Sequence, residues 1–257
     1  MKKLVLISVL AFFCANLPAQ SLFEGEFILF GLGGQMENFK DDLVSPLKYQ
    51  GYSGAAAIGW HSQQGPWQNN FDGHIAIGLQ SPAALNDVSN ETTTISGSLN
   101  YSLRYRLINR DKQALFLGIC SANLLGYRQH NRYSNSSLSF SNFISYGLSA
   151  SWQYQPQLEL WNVKLPFAWQ TELNLPLASY LIMPGYNRQF FNDKAGLRKH
   201  SFIGDFWHLE FRHSLVYPLK NGNQARLSYH WNYAEYNGLN YLAQAQHYLM
   251  FHLLFKL

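Results

Sequence analysis

The chain has 257 residues, of which 13% are charged and 16% are aromatic, and its mean hydropathy is −0.19. An ordinary soluble domain carries about 25% charged residues. Few charges and many aromatics exclude intrinsic disorder, and the middling hydropathy disfavours a bundle of membrane helices, each of which needs roughly 18 consecutive apolar residues.

The N-terminus has the layout of a secretory signal peptide. Lys2 and Lys3 precede an apolar run over 4–17, and Pro18-Ala19-Gln20 follows, which predicts cleavage after Ala19 and a single mature domain over 20–257. A membrane anchor is the alternative, for which the run is short. Cleavage would leave Cys120 without a disulfide partner and lower the net charge from +4 to +2, too little to indicate a nucleic-acid partner.

Residues downstream of 20 alternate between apolar and polar instead of following a helical repeat. Over 93–107, for example, Leu99, Tyr101 and Leu103 occupy one face while Ser98 and Asn100 occupy the other, as in a strand between two environments. This periodicity predicts about ten strands, at 22–32, 51–62, 70–80, 91–108, 113–127, 139–154, 163–180, 202–218, 224–236 and 245–257.

The predicted connections alternate in length. Residues 33–50 and 181–201 read as long loops, whereas 109–112 and 220–223 read as tight turns. Within the seventh strand, Pro166 and Pro176 each lack a backbone donor, which indicates a bulge or a shorter strand there.

The C-terminal segment alternates strongly, with Leu249, Phe251, Leu253 and Phe255 on one face. It resembles the terminal strand of Gram-negative outer-membrane β-barrel proteins, although that family usually ends in an aromatic residue and this chain ends in Leu257. The resemblance is one of architecture and points to no named subfamily. It implies an all-β fold, an antiparallel transmembrane β-barrel of about ten strands located in the outer membrane.

A soluble β-sandwich or a small lipocalin-like barrel is the alternative, because those folds also alternate. Their outer faces are charged, whereas the polar faces here are rich in Ser, Asn, Gln and Gly. A membrane barrel also predicts aromatic side chains at the interface. The candidates for the rim beside the termini are Trp60, Phe71, Tyr105, Trp152, Tyr154 and Tyr217.

Alternation assigns a set of ionisable and polar side chains to the barrel interior. They are Glu24, Glu26, Asp72, His74, Arg104, Arg106, Glu172, His208, Glu210, Arg212, Arg226, His230 and His252. Because a barrel of about ten strands is narrow, these side chains are expected either to pair and plug the interior or to line a narrow polar pore. Glu210 and Arg212 lie on one face of one strand and could pair diagonally with Arg226 or Glu172 on neighbouring strands.

Catalytic and metal-binding patterns are sparse. Omptin-type proteases carry an Asp-x-His pair at the outer rim, and Asp72-Gly73-His74 has that spacing but is predicted near the opposite end. His213 and Ser214 are adjacent, so they point to opposite faces of their strand. The histidines form no cluster with metal-ligand spacing, and the sequence predicts no catalytic residue, no metal and no cofactor.

Aromatic and polar residues in the predicted loop 181–201 are candidates for contact with a partner. They are Tyr186, Arg188, Phe190 and Phe191. Outer-membrane lipid and lipopolysaccharide are the expected partners, with other envelope proteins also possible. Lipopolysaccharide phosphates would suit Arg128, Arg132, Arg188 and Arg198.

The sequence therefore predicts an outer-membrane barrel that forms a narrow channel or facilitator for small solutes. A non-conducting structural or accessory subunit of an outer-membrane complex is the alternative, and an outer-membrane hydrolase is a distant third.

Overall fold

The computed structural model describes residues 23–42, 45–83, 91–110, 112–130, 138–156, 158–160, 163–183, 197–219, 221–238 and 241–257. These residues form thirteen strands, which are β1 (Gly25–Asp41), β2 (Ser45–Gln64), β3 (Trp67–Pro82), β4 (Thr92–Arg110), β5 (Gln113–His130), β6 (Leu138–Tyr154), β7 (Leu158–Leu160), β8 (Val163–Leu165), β9 (Ala168–Met183), β10 (Leu197–Phe202), β11 (Phe206–Pro218), β12 (Gln224–Tyr236) and β13 (Leu242–Lys256). No helix among them is long and apolar enough to cross a membrane. The predicted signal peptide lies outside the described residues.

The main sheet closes on itself. Each long strand pairs antiparallel with its neighbours, β13 pairs with β1, and β6 pairs with β9 across the small hairpin of β7 and β8. Both β10 and β11 pair with β9, and together they form one wall strand interrupted near Gly204. The result is a closed ten-stranded antiparallel barrel, which confirms the predicted fold class. Closure pairs the backbone groups that an open sheet would leave exposed to lipid.

The two ends of the barrel differ. The start of β1 and the end of β13 lie at one end, here called the lower end, where the connections 65–66, 111–112 and 219–223 are short and 155–167 contains the β7–β8 hairpin. At the opposite, upper end, the connections 83–91, 131–137 and 184–196 are longer, whereas 42–44 and 237–241 are short. In outer-membrane barrels short turns face the periplasm and longer loops face outward, so we expect the upper end to face outward.

The predicted long loop over 33–50 is wrong. β1 continues to Asp41 and β2 starts at Ser45, and the two strands stay paired along this stretch. The Gly33-Gly34 pair suggested a strand end, but Gln35, Glu37 and Asp41 carry on the inward alternation beyond it. The wall therefore rises higher on this side than the sequence indicated.

The bulge predicted at Pro176 is confirmed. β9 keeps this proline within its span, and the register between β6 and β9 shifts between Tyr146 and Gly147, opposite it. Gly147 leaves room for the shift, because a Cβ there would meet the backbone of Leu175 and Pro176. Below β9, the predicted seventh strand is divided by residues 166–167.

The outer surface carries a broad apolar band. Outward side chains with large exposed areas include Phe30, Leu32, Ile58, Ile75, Ile77, Leu99, Ile119, Leu148, Leu249 and Phe251. Phe71, Tyr105 and Tyr217 are exposed toward the lower end, as predicted for the rim, and Trp67 and Trp169 join them there. A continuous exposed apolar band with aromatic borders is typical of a lipid-facing barrel wall.

A substitution at Gly118 tests how closely β5 packs against β4. A Cβ at this position would meet the backbone of Leu103 and Arg104 on β4, so Gly118→Val is expected to reduce the yield of folded barrel strongly. Heat-modifiable migration in SDS gels measures that yield. Gly54→Val is the matched control, since a Cβ there meets no atom within 4 Å. Equal yields of the two variants would contradict the close inward packing.

Candidate functional site: a side-chain network in the barrel interior

Most of the predicted interior residues are buried inside the barrel. They are Asp72, His74, Arg104, Glu172, His208, Glu210, Arg212, Arg226, His230 and His252. They come from six different wall strands, so closure of the sheet brings distant parts of the sequence together. Arg106 is half-buried, at a register shift between β4 and β5.

Glu24 and Glu26 do not belong to this set. Glu24 is exposed, and Glu26 lies on the outward parity of β1 where Gln64 donates a hydrogen bond of 2.6 Å to its carboxylate. The inward residues at this level are Phe27 and Leu29. The prediction was wrong because it placed the polar face of β1 inside, whereas this part of the interior is packed with apolar side chains.

A cluster of charged side chains fills the lower half of the interior. This lower ionic cluster consists of Asp72, Arg104, Glu172 and Arg212. Arg104 Nη1 lies 2.6 Å from Glu172 Oε1, and Arg212 Nη1 lies 2.8 Å from Asp72 Oδ2 and 3.3 Å from Glu172 Oε2. The Arg104 and Asp72 contacts span the interior between strands that are not neighbours. The cluster therefore bridges the barrel from wall to wall.

His61 extends the lower ionic cluster toward Arg226. The His61 Nε2 lies 2.8 Å from Asp72 Oδ1, and Arg226 Nη1 lies 3.3 Å from His61 Nδ1. Because a guanidinium can only donate, His61 accepts at Nδ1 and donates from Nε2 to the carboxylate. A cavity of about 20 Å³ beside Arg226, lined by glutamine amides and Phe23, has room for about one water molecule.

Three rings pack against one another above this cluster. This ring cluster consists of His74, His230 and Tyr248, with centroid separations of 5.4, 5.8 and 5.5 Å. Gln35 donates hydrogen bonds of 3.0 Å to the Tyr248 hydroxyl and to Ser96 on the far side. The rings, which come from β3, β12 and β13, thus lie across the middle of the interior, and Gln35 on β1 connects them to Ser96 on β4.

The upper half of the interior is closed by a second charged contact. Arg128 Nη2 lies 3.3 Å from Glu37 Oε1 and donates to Gln244 at 2.8 Å, while its guanidinium stacks 4.3 Å from the centre of the Phe39 ring. These residues form the upper cluster, with Tyr49 stacked on Phe39. An apolar group fills the remaining space beside it: Leu124, Phe143, Leu181, Met183, Phe206, Ala234, Tyr236 and Leu242.

Sequence reasoning missed His61, Glu37, Arg128 and Tyr248. Glu37 was placed in a loop and Arg128 was offered as a contact for lipopolysaccharide phosphate, which its full burial rules out. Continuing the alternation through Gly33-Gly34 and past residue 127 would have placed both side chains inside. His61 follows a row of small inward residues that includes Ala55 and Ala57. Because these residues are not polar, the alternation did not identify the inner face of β2.

The Asp72-Gly73-His74 pair does not form an exposed catalytic site. Asp72 is engaged by Arg212 and His61, and His74 is packed in the ring cluster and lies 3.3 Å from Ser98 Oγ. Ser214 is buried while His213 lies on the other face of β11, as predicted. No group of three His, Cys, Asp or Glu side chains that could hold a metal occurs within the described part of the chain. The loop candidates Tyr186, Arg188, Phe190 and Phe191 lie outside the described residues.

Comparison with known proteins supports the architecture. No family model and no curated protein matches the chain. Among solved structures, the outer membrane protease OmpT from Escherichia coli is similar with a TM-score of 0.55 at 10% identity, covering 91% of this chain and 97% of that one. The translocator domain of the autotransporter NalP from Neisseria meningitidis gives a TM-score of 0.42 at 9% identity, over 90% and 88%. At 10% identity, the similarity to OmpT concerns the fold alone.

The closed sheet, the exposed apolar band and the polar, charge-paired interior agree with this similarity. Such a wall places apolar side chains against lipid and polar side chains inside. The chain is a closed ten-stranded antiparallel β-barrel with an apolar outer wall, and its fold is similar to that of the outer membrane protease OmpT.

Proposed function

We propose that this protein is a closed outer-membrane barrel that acts as a non-conducting structural or accessory component of the envelope. The observation that carries the proposal is the filled interior, where the lower ionic cluster, the ring cluster and the upper cluster are stacked from end to end. Each contains contacts between strands that are not neighbours. A solute would have to displace paired charges at two levels.

The energetics favour a permanently closed interior over a pore that opens readily. Separating a buried ion pair leaves desolvated charges that cost several kcal/mol each unless other groups replace the lost partner. Here the guanidinium of Arg104 also donates to Ser149 and Gln68, at 2.6 and 2.9 Å, so the side chain is held from three directions. A narrow channel or facilitator for small solutes is the competing function.

Planar-bilayer recordings distinguish the two functions. The purified, folded barrel is expected to give no stepwise ion current, because its interior is occupied at every level. Heat-modifiable migration of the same preparation serves as the control for folding. Reproducible current steps from the unmodified barrel would overturn the closed-barrel proposal in favour of the channel.

A further inference from the structure

The outer wall carries a groove at the upper end, above the apolar band. It has a volume of about 650 Å³ and lies across β12, β13, β1 and β2. Its floor contains the small side chains of Ala243 and Ala245, and its walls contain Tyr233 and Tyr241 on one side and Lys48 on the other. The lining also includes Ala83 and the interior-facing residues Phe39, Tyr49 and Gln244. We call the outward-facing residues named above, with Asn38, Lys40 and Gln50, the wall groove, and Glu235 borders it through its hydrogen bonds to Tyr233 and Tyr241.

The groove lies where the wall changes from apolar to polar. On β1 the outward residues change from Phe30, Leu32 and Met36 to Asn38 and Lys40 toward the upper end. β13 changes in the same direction, from exposed Phe251 and Leu249 to the alanines of the groove floor. The wall groove is therefore at the height of lipid headgroups, not of acyl chains.

Lys40 and Lys48 are direct cross-strand partners on this surface. Like charges directly opposite one another destabilise a strand pair. Lys40 is compensated, since its Nζ lies 3.0 Å from Asp42 Oδ1 and 5.1 Å from the centre of the Tyr241 ring. Lys48 has no ion pair with any residue in the described ranges and is exposed. Among the described residues, the groove thus presents one cation without an ion-pair partner beside one that has a partner.

Polar groups on the other side of the groove can form hydrogen bonds with the hydroxyl groups of a ligand. The Tyr233 and Tyr241 hydroxyls donate to the two oxygens of Glu235, at 2.6 and 3.0 Å, which fixes both rings as a wall. Each carboxylate oxygen keeps further acceptor capacity, and Asn38 and Gln50 add amide groups. A bare phosphate would meet the Glu235 carboxylate unfavourably, whereas a phosphorylated sugar offers hydroxyls to Glu235 and a phosphate to Lys48.

We propose that the wall groove binds the phosphorylated sugar headgroup of a glycolipid in the outer leaflet. Lys48 binds the phosphate, and Lys40 adds a second positive charge nearby. Glu235 accepts hydrogen bonds from sugar hydroxyls, and the Asn38 and Gln50 amides donate and accept further ones. The two tyrosine rings contact a sugar face. The acyl chains of the lipid then run down the apolar band below Ala245. This assignment is independent of whether the interior conducts.

Native mass spectrometry of the detergent-purified full barrel tests the site, with bisphosphorylated lipid A as the probe. Lys48→Gln is expected to weaken lipid A binding about fivefold, the contribution of one lysine at an anionic headgroup. Lys256→Gln is the matched control, because it removes the same charge from an exposed position at the lower end of β13, and it is expected to leave binding unchanged. Equal binding by Lys48→Gln and the unmodified barrel would overturn the assignment.

Three further probes separate the possible sources of the anion. Dephosphorylated lipid A is expected to bind as weakly to the unmodified barrel as lipid A binds to Lys48→Gln. Phosphatidylglycerol binding that equals lipid A binding and shows the same dependence on Lys48 would overturn the sugar part of the proposal. Competition by millimolar inorganic phosphate as complete as that by lipid A would identify a simple anion site and overturn the headgroup assignment.

Glu235→Gln, which removes the carboxylate but keeps an acceptor, is expected to change lipid A binding less than Lys48→Gln.

Discussion

Replacing Glu172 by glutamine is expected to lower the free energy of unfolding by about 3–5 kcal/mol, the usual cost of removing one partner from a buried ion pair. Glu172 accepts from four donors: Arg104 at 2.6 Å, Asn70 at 2.7 Å, Gln170 at 3.2 Å and Arg212 at 3.3 Å. The glutamine keeps the size of the side chain but turns one oxygen into a donor that faces other donors. Both guanidiniums then lose a full negative charge in a site shielded from water.

Urea titration of the barrel in phospholipid vesicles, followed by tryptophan fluorescence, measures this loss. Glu26→Gln is the control, because Glu26 is a carboxylate on the outer face with one hydrogen-bond partner, Gln64. Adding Arg104→Met to Glu172→Gln is expected to cost less than the two single losses together, since fewer charges are then left unpaired. A Glu172→Gln loss no larger than that of Glu26→Gln would show that the lower ionic cluster contributes little to stability.

The architecture could be predicted from the sequence because its signal is local. Side chains of a strand alternate with a period of two, so Leu99 and Tyr101 against Ser98 and Asn100 indicate a two-sided strand without knowledge of any partner. The same parity identified most interior residues in β3, β4, β11 and β12. It worked there because the inner face of those strands is polar along most of its length.

The same rule failed wherever the interior is apolar. β1 turns Phe27 and Leu29 inward, where they pack with Tyr248 and Met250, so an assignment that equated polar with inside put Glu26 on the wrong face. The pairing of Arg212 with Glu172 on the neighbouring strand was among the predicted contacts, but the contacts between strands that are not neighbours were out of reach of the sequence. Arg104 meets Glu172 across two intervening wall strands, and the register that brings them to one height depends on the closure of the whole sheet. Local periodicity contains no information about that register.

The stacking of the interior explains why the sequence left the choice between plug and pore open. The interior of an eight-stranded barrel is just filled by its own side chains, whereas a sixteen-stranded barrel has an open channel. In a ten-stranded barrel, the size of the inward side chains therefore decides whether the interior is closed or open. Here the inner face of β2 is built from small residues such as Ala55 and Ala57, while Tyr248, Met250 and Leu254 of β13 supply the bulk. Because β13 and β2 flank β1, the large inward residues of β13 fill the space that the small ones of β2 leave.

Because the three clusters block the interior in series, clearing one of them is expected to leave the barrel closed. A variant with Asp72, Arg104, Glu172 and Arg212 all replaced by serine removes two charges of each sign, so it leaves none of these pairs half broken. The ring cluster and the Arg128–Glu37 contact still span the interior in this variant. We expect no stepwise current from it in planar bilayers.

Current is expected only when serine also replaces His74, His230 and Tyr248 of the ring cluster together with Glu37 and Arg128 above them. These changes remove the charged and ring side chains that bridge the walls and leave hydroxyl groups that water can solvate. The uncharged bridges Gln35–Ser96 and Gln63–Gln153 remain. Heat-modifiable migration identifies the preparations that fold, and only those are compared. Steps from the four-serine variant alone would show that the lower ionic cluster is the single barrier. Silence from the folded nine-serine variant would place the block in the remaining amide bridges, Gln35–Ser96 and Gln63–Gln153, or in the apolar group around Phe143 and Phe206, whose rings lie 5.1 Å apart near the upper end.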